Sequence, residues 1–328
     1  MTVESTCPYP RLRWPDKLAT LATWSGAAAI FATIGWMAIG PADPHGVVQI
    51  TEGAWPRVFV EMVALAAVVA GLATAAVGRK LPDAGTFAVA IGLAAANLRG
   101  QSAGYLLMLV EEPGRRRLLC LELAVEAVIW FAVLVVAMIV SGLVMRWCFG
   151  RGESDARRGA RLSAMCVADM PGLHRLTGEP RTAGGHVRLR VKLLHGLVVI
   201  ALALVLIRLL AAGDASRSIR QEQVYFAVVV AFFAGSWVAH RWFPVPTPLF
   251  GCLTVPIVCI IGYLWTMVRV QGQGPYAAIA SVPPTVFLRA LPLEYLAVGT
   301  AGVLAAFWSR SARSALGRGA VELRAGTG

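Results

Sequence analysis

The chain has 328 residues, 57% of them hydrophobic and only 15% charged, with a mean hydropathy of +0.67. Soluble chains carry roughly 25% charge, and their helices keep a polar face that the unbroken apolar blocks here do not leave. The net charge of +12 does not point to nucleic acid either, because the basic residues stand between and after those blocks, where the positive-inside rule places them.

Positions 1–17 are polar, with Arg11, Arg13 and Lys17 leading into a first apolar block over about 18–40. That block is too long for a signal-peptide core and reads as a retained anchor. The loop at 41–56 carries Asp43, His45 and Glu52 among turn formers, as an external loop would. A second block at 58–78 has Glu61 in its first turn and is followed by Arg79 and Lys80. The third, at 84–110, is interrupted by Asn97, Arg99, Gly100, Gln101 and Ser102 and ends at Glu111 and Glu112. The fourth, at 118–145, contains Glu122 and Glu126.

From 146 to 192 runs the one long polar segment, rich in arginine; it reads as a cytoplasmic linker that meets anionic lipid headgroups or a protein partner. Further apolar blocks lie at 193–212, 223–239, 248–268 and 293–308, the last with Pro283, Pro284 and Pro292 before it, so that a start near Pro284 and a kink at Pro292 are expected. A basic tail closes the chain.

These blocks predict an all-α polytopic membrane protein of about eight transmembrane helices, with both termini cytoplasmic. Only Lys17, Lys80 and Lys192 of the 30 basic residues are lysines, a bias of GC-rich bacterial genomes, which makes a bacterial inner membrane the expected location. The halves also resemble each other. Arg11-Leu12-Arg13 recurs as Arg188-Leu189-Arg190, Gly104-Tyr105-Leu106 as Gly262-Tyr263-Leu264, and the Arg117/Glu122 spacing as Arg289/Glu294. Two tandem four-helix repeats in parallel orientation follow, at 1–145 and 193–309, flanking the linker at 146–192 and preceding the tail at 310–328.

An arginine inside an apolar span costs roughly 2.5 to 17 kcal/mol unless it faces protein or water, so Arg99 marks a candidate site. Glu126 lies about 12 Å from the outer end of its span and Arg99 about 16 Å, at 1.5 Å per residue. An Arg99–Glu126 ion pair is therefore expected, with Gln101 beside it. Glu122, Glu61 and Glu294 form a candidate acidic group near the outer face, and Arg289 and Arg208 are second-half candidates. His195 and His240 read as interfacial residues on different spans.

Cys7, Cys120, Cys148, Cys166, Cys252 and Cys259 show no CxxC pair and no zinc spacing, and they read as buried thiols. No G-x-S-x-G elbow, Walker loop, HExxH motif or dinucleotide fingerprint is present, so no cofactor and no catalytic residue is assigned. A transporter-like or permease-like function is expected, with its small-molecule substrate unknown. A membrane scaffold binding a partner through the central basic loop is the alternative.

Overall fold

The computed structural model describes residues 13–40, 55–81, 83–100, 113–149, 189–211, 221–245, 247–270 and 286–325. Gln101, the central basic linker and most of the loops lie outside them. The described residues form α1 (Trp14–Ile39), α2 (Trp55–Val77), α3 (Ala84–Asn97), α4 (Pro113–Phe149), α5 (Leu189–Leu210), α6 (Gln221–Trp242), α7 (Leu249–Val270) and α8 (Pro292–Ala325), with a 3₁₀ turn at Val286–Arg289 before α8. No strand occurs among them. In lipid each backbone N–H and C=O must be paired within the segment, and these Ala-, Val- and Leu-rich runs satisfy that demand as helices.

Six of the helices, α1, α2, α4, α5, α6 and α7, are long and apolar enough to cross a membrane. The protein is a multi-pass membrane protein in contact with a lipid bilayer. Large apolar side chains cover its outside, among them Met37, Val60, Leu72, Leu197, Phe226 and Val268, as a surface facing acyl chains requires. Trp14, Trp147 and Trp242 stand exposed at ends of α1, α4 and α6 that share one side of the bundle, where amphipathic indoles favour the lipid–water boundary. Lys80, in the turn after α2, reaches Asp16 in the first turn of α1 at 3.2 Å on that same side. We call it the lower end.

Two helices differ from the rest. α3 has only 14 residues, about 21 Å of helix against a hydrocarbon core of about 30 Å. The first turns of α8 are buried on every side, from Pro292 through Leu304. α3 and α8 pack on each other at the centre, with α1, α2 and α4 against α3, and with α6 and α7 against α8. Small residues make the close approaches possible. A Cβ on Gly302 would come within 2.6 Å of the Val229 carbonyl oxygen, and one on Gly85 would overlap the Ala70 carbonyl and the Thr74 and Ser141 hydroxyls.

The expected kinked helix beginning near Pro284 is not what forms. A 3₁₀ turn ends at Arg289, and Pro292 is the first residue of α8, where its missing N–H would have had no partner inside the helix anyway. Inside α1 the segment Phe31–Gly35 widens into a π-helical turn. The ring of Phe31, fully buried, fills the space left by Gly92 on α3.

Candidate functional site

α3 stops where its sequence turns polar. Asn97 is its last residue, and the next turn is held by Arg99 N–H to the Ala96 carbonyl at 3.2 Å and Gly100 N–H to the Asn97 carbonyl at 3.0 Å. The side chain of Asn97 is completely buried and points away from lipid toward the first turns of α6 and α8.

There it meets Glu294, 1% exposed. The Oε1 of Glu294 accepts from Asn97 Nδ2 at 3.2 Å and from Gln221 Nε2 at 2.8 Å. Its Oε2 accepts the Leu291 N–H at 2.7 Å, the reach-back by which a glutamate in a first turn caps its own helix. Tyr225, one turn after Gln221 on α6, accepts from Asn97 Nδ2 at 3.0 Å and donates to the Ala94 carbonyl at 3.2 Å. Gln221 Nε2 also lies 3.2 Å from the Asn97 carbonyl. The Oδ1 of Asn97 is buried with no hydrogen-bond partner. Among the described residues no Lys or Arg pairs with Glu294, whose partners are Asn97, Gln221 and the Leu291 N–H. A buried carboxylate, amides, a phenol and the end of a short helix thus converge from three separate stretches of chain.

The other sequence candidates lie elsewhere. Arg99 is exposed; its Nη1 donates to the Ala32 carbonyl at 2.7 Å, inside the π-helical turn, and its guanidinium lies over the Trp36 ring at 5.3 Å. The widened turn leaves carbonyl oxygens out of the regular ladder, and Arg99 takes one of them. Glu126 is fully buried and accepts from Trp130 Nε1 at 3.0 Å, one turn along α4. The expected Arg99–Glu126 pair is therefore not formed. Matched depth was the basis for it, but Asn97 and Arg99 are two residues apart, roughly 200° around a helix, so when Asn97 faces inward Arg99 faces α1.

Glu61 pairs with Arg57 at 2.7 Å on the surface of α2, Glu122 is exposed on α4, and only Glu294 of the three acidic candidates is buried. Arg289 donates to the Ala211 carbonyl at 2.9 Å, tying the end of α5 to the turn before α8. Arg208 is exposed on α5.

Sequence reasoning passed over Gln221 and Tyr225. Their signal was present: a glutamine and a tyrosine four apart, on one face of the first turns of an apolar span. At the lower end His195 and His240 are both buried with ring centroids 4.5 Å apart, and His195 Nδ1 lies 2.9 Å from the Phe243 carbonyl. Asp83, in the turn between α2 and α3, lines a pocket with room for about one water, together with Thr86, Ser141 and Leu304. Although Asp83 keeps some exposed surface, the atoms packed round its carboxyl push it up to about 7. No group of three or more His, Cys, Asp or Glu able to hold a metal occurs among the described residues. Compared with known proteins, the chain matches no protein-family model, no curated protein and no solved structure.

Proposed function

We propose that this is a permease-like transporter whose binding site is the cluster of Glu294, Asn97, Gln221 and Tyr225. The observation that carries the reading is a carboxylate with 1% exposure, held only by neutral donors at the point where α3 breaks off. Ionisable groups inside a membrane bundle are expensive, and broken helices put freed backbone groups beside them where ions and substrates bind in many transporter folds.

In this reading the chain makes eight crossings, α3 belonging to the third and α8 to the eighth, with both termini in the cytoplasm of a bacterium. Part of the packing supports a parallel four-helix repeat, although α2 packs on α3 whereas α6 has no comparable contact with α7. α2 rests on α4 as α6 rests on α8, α1 on α3 as α5 on α7, and the cross-contacts α3–α8 and α7–α4 exchange when the halves are exchanged. An axis along the membrane normal would then run between the halves. Arg289 ties the outer end of the second half to α5 through the Ala211 carbonyl.

Purified protein in liposomes on a solid-supported membrane, challenged with panels of amino acids, sugars and organic ions, tests this reading. A solute-dependent current that Glu294→Gln loses and the exposed Arg208→Gln retains supports it. Wild-type liposomes indistinguishable from empty ones across the panel refute it.

A further inference from the structure

We propose that the converging ends of α3 and α8 bind a dehydrated monovalent metal cation, Na⁺ in the first instance, with Glu294 supplying the charge and the side chains of Asn97 and Tyr225 supplying neutral oxygens. This deepens the transporter reading by naming the ion that its site takes.

The argument begins with the kind of atoms present. The groups gathered here are a carboxylate, an amide oxygen, a phenol oxygen and the carbonyls of Ala94 and Asn97. All are hard oxygen donors, with no imidazole or thiolate among the cluster's hydrogen-bonding groups, which is the chemistry of alkali and alkaline-earth ions and not of transition metals.

Charge selects between those two classes. One carboxylate balances one positive charge. A divalent ion would leave an uncompensated charge in a buried place, where it costs several kcal/mol. The C-terminus of α3 adds the negative end of a helix dipole, equivalent to roughly half an elementary charge, while its Ala94, Ala96 and Asn97 carbonyls already accept backbone N–H groups.

Free coordination capacity comes next. A carboxylate offers about four lone-pair sites, of which three are occupied by Asn97, Gln221 and the Leu291 N–H. One remains, and the Asn97 Oδ1, buried in the same place, has no hydrogen-bond partner at all. Two open acceptors and no donor to fill them are what a cation would use. The hydrogen bonds from Gln221 and from Asn97 Nδ2 hold the carboxylate in position meanwhile, so the oxygens need little rearrangement to close on an ion.

Thermal unfolding of the purified protein in detergent, titrated with NaCl against choline chloride and KCl at constant ionic strength, reads the binding directly. The melting temperature should rise with Na⁺ and saturate, because an ion that binds only the folded state stabilises it by mass action. Glu294→Gln should abolish the rise. Should that variant fail to fold, Tyr225→Phe keeps the ring and removes one oxygen, and its half-saturating Na⁺ should increase roughly tenfold.

Equal stabilisation by choline, a rise that persists in Glu294→Gln, or a response to pH alone with none to Na⁺ overturns the proposal. The last of these would make Glu294 a proton site. Currents that need Glu294 but ignore the Na⁺ gradient would sink the ion assignment and leave the transporter reading standing. Saturable Na⁺ binding without any solute-dependent current would do the reverse.

Discussion

Replacing Gly85 by alanine should destabilise the protein, whereas the same change at Gly26 should not. Gly85 is the second residue of α3, and its Cβ would overlap the Ala70 carbonyl oxygen, the Thr74 hydroxyl and the Ser141 hydroxyl. Two of these are side-chain tips, but the carbonyl belongs to the backbone of α2 and cannot rotate aside. Overpacking costs typically 1–3 kcal/mol, and a backbone neighbour puts this case at the upper end. The gain in helix propensity from Gly to Ala is at most about 1 kcal/mol, so a net loss of about 2 kcal/mol remains. Gly26 lies within α1 with nothing within 4 Å of its Cβ, so there the propensity gain stands alone. The two variants should differ by about 3 kcal/mol, more than a hundredfold in the unfolding equilibrium. Unfolding by SDS in mixed micelles, followed by tryptophan fluorescence, measures both. A Gly85→Ala protein as stable as the wild type, or less damaged than Gly26→Ala, would refute the close approach of α3 to α2 and α4. It would also remove the reason for Asn97 sitting where it does, since α3 is held at its lower end by this contact.

Two further outcomes follow from the geometry. Trp130→Phe removes the indole donor 3.0 Å from the buried Glu126 and should cost about 2 kcal/mol. Adding Glu126→Gln should recover part of that loss, and a double-mutant cycle additive within about 0.5 kcal/mol would show that the contact carries no energy. Asp83 has its carboxyl raised from 3.8 to about 7 by burial. A raised folded-state value means the native state holds the proton more tightly, so the contribution to stability is complete below about pH 4 and is lost as pH rises through 7. Chemical unfolding between pH 4 and 8 should show this decline in the wild type and a flatter profile in Asp83→Asn; identical profiles would contradict it.

Much of the membrane architecture was legible because its cause is one-dimensional. A block of apolar residues long enough to cross lipid reads the same in a sequence as in a helix, and α2, α5, α6 and α7 fall within a few residues of the predicted blocks. The break after Asn97 was legible for the same reason, since polar residues interrupt a run that would otherwise have continued. What the chain could not disclose is azimuth. Arg99 drew attention by its charge, yet it turns toward α1 and the π-helical turn there, which no residue of that apolar segment announces. Asn97, without charge, turns inward and carries the site. Gln221 and Tyr225 sit where a span begins and look like ordinary boundary residues until α8 is placed beside them. Pro292 was read as a kink because a proline ahead of a short apolar run permits either a bend or a first turn, and only the packing of Glu294 beneath it decides.

The plainest account of Glu294 is that it caps α8, and the bond from the Leu291 N–H to Oε2 is that of a cap. Capping accounts for one oxygen only. The other is taken by amides from α3 and α6, so the same carboxylate ties together the ends of three helices. A glutamine has one acceptor oxygen, so it could keep the Leu291 bond or the two amide bonds but not both, and its NH₂ would face the donors left over. Burying an ionised carboxylate away from any described Lys or Arg costs several kcal/mol more than burying an amide. The cap and the two amides account for three donors on this acid, and the unpartnered Asn97 Oδ1 buried with it is what they leave unexplained and what a visiting cation would use. Glu294→Gln therefore removes an acceptor as well as the charge, and Tyr225→Phe, which leaves the carboxylate and its three donors in place, is the substitution that separates the ion from the cap.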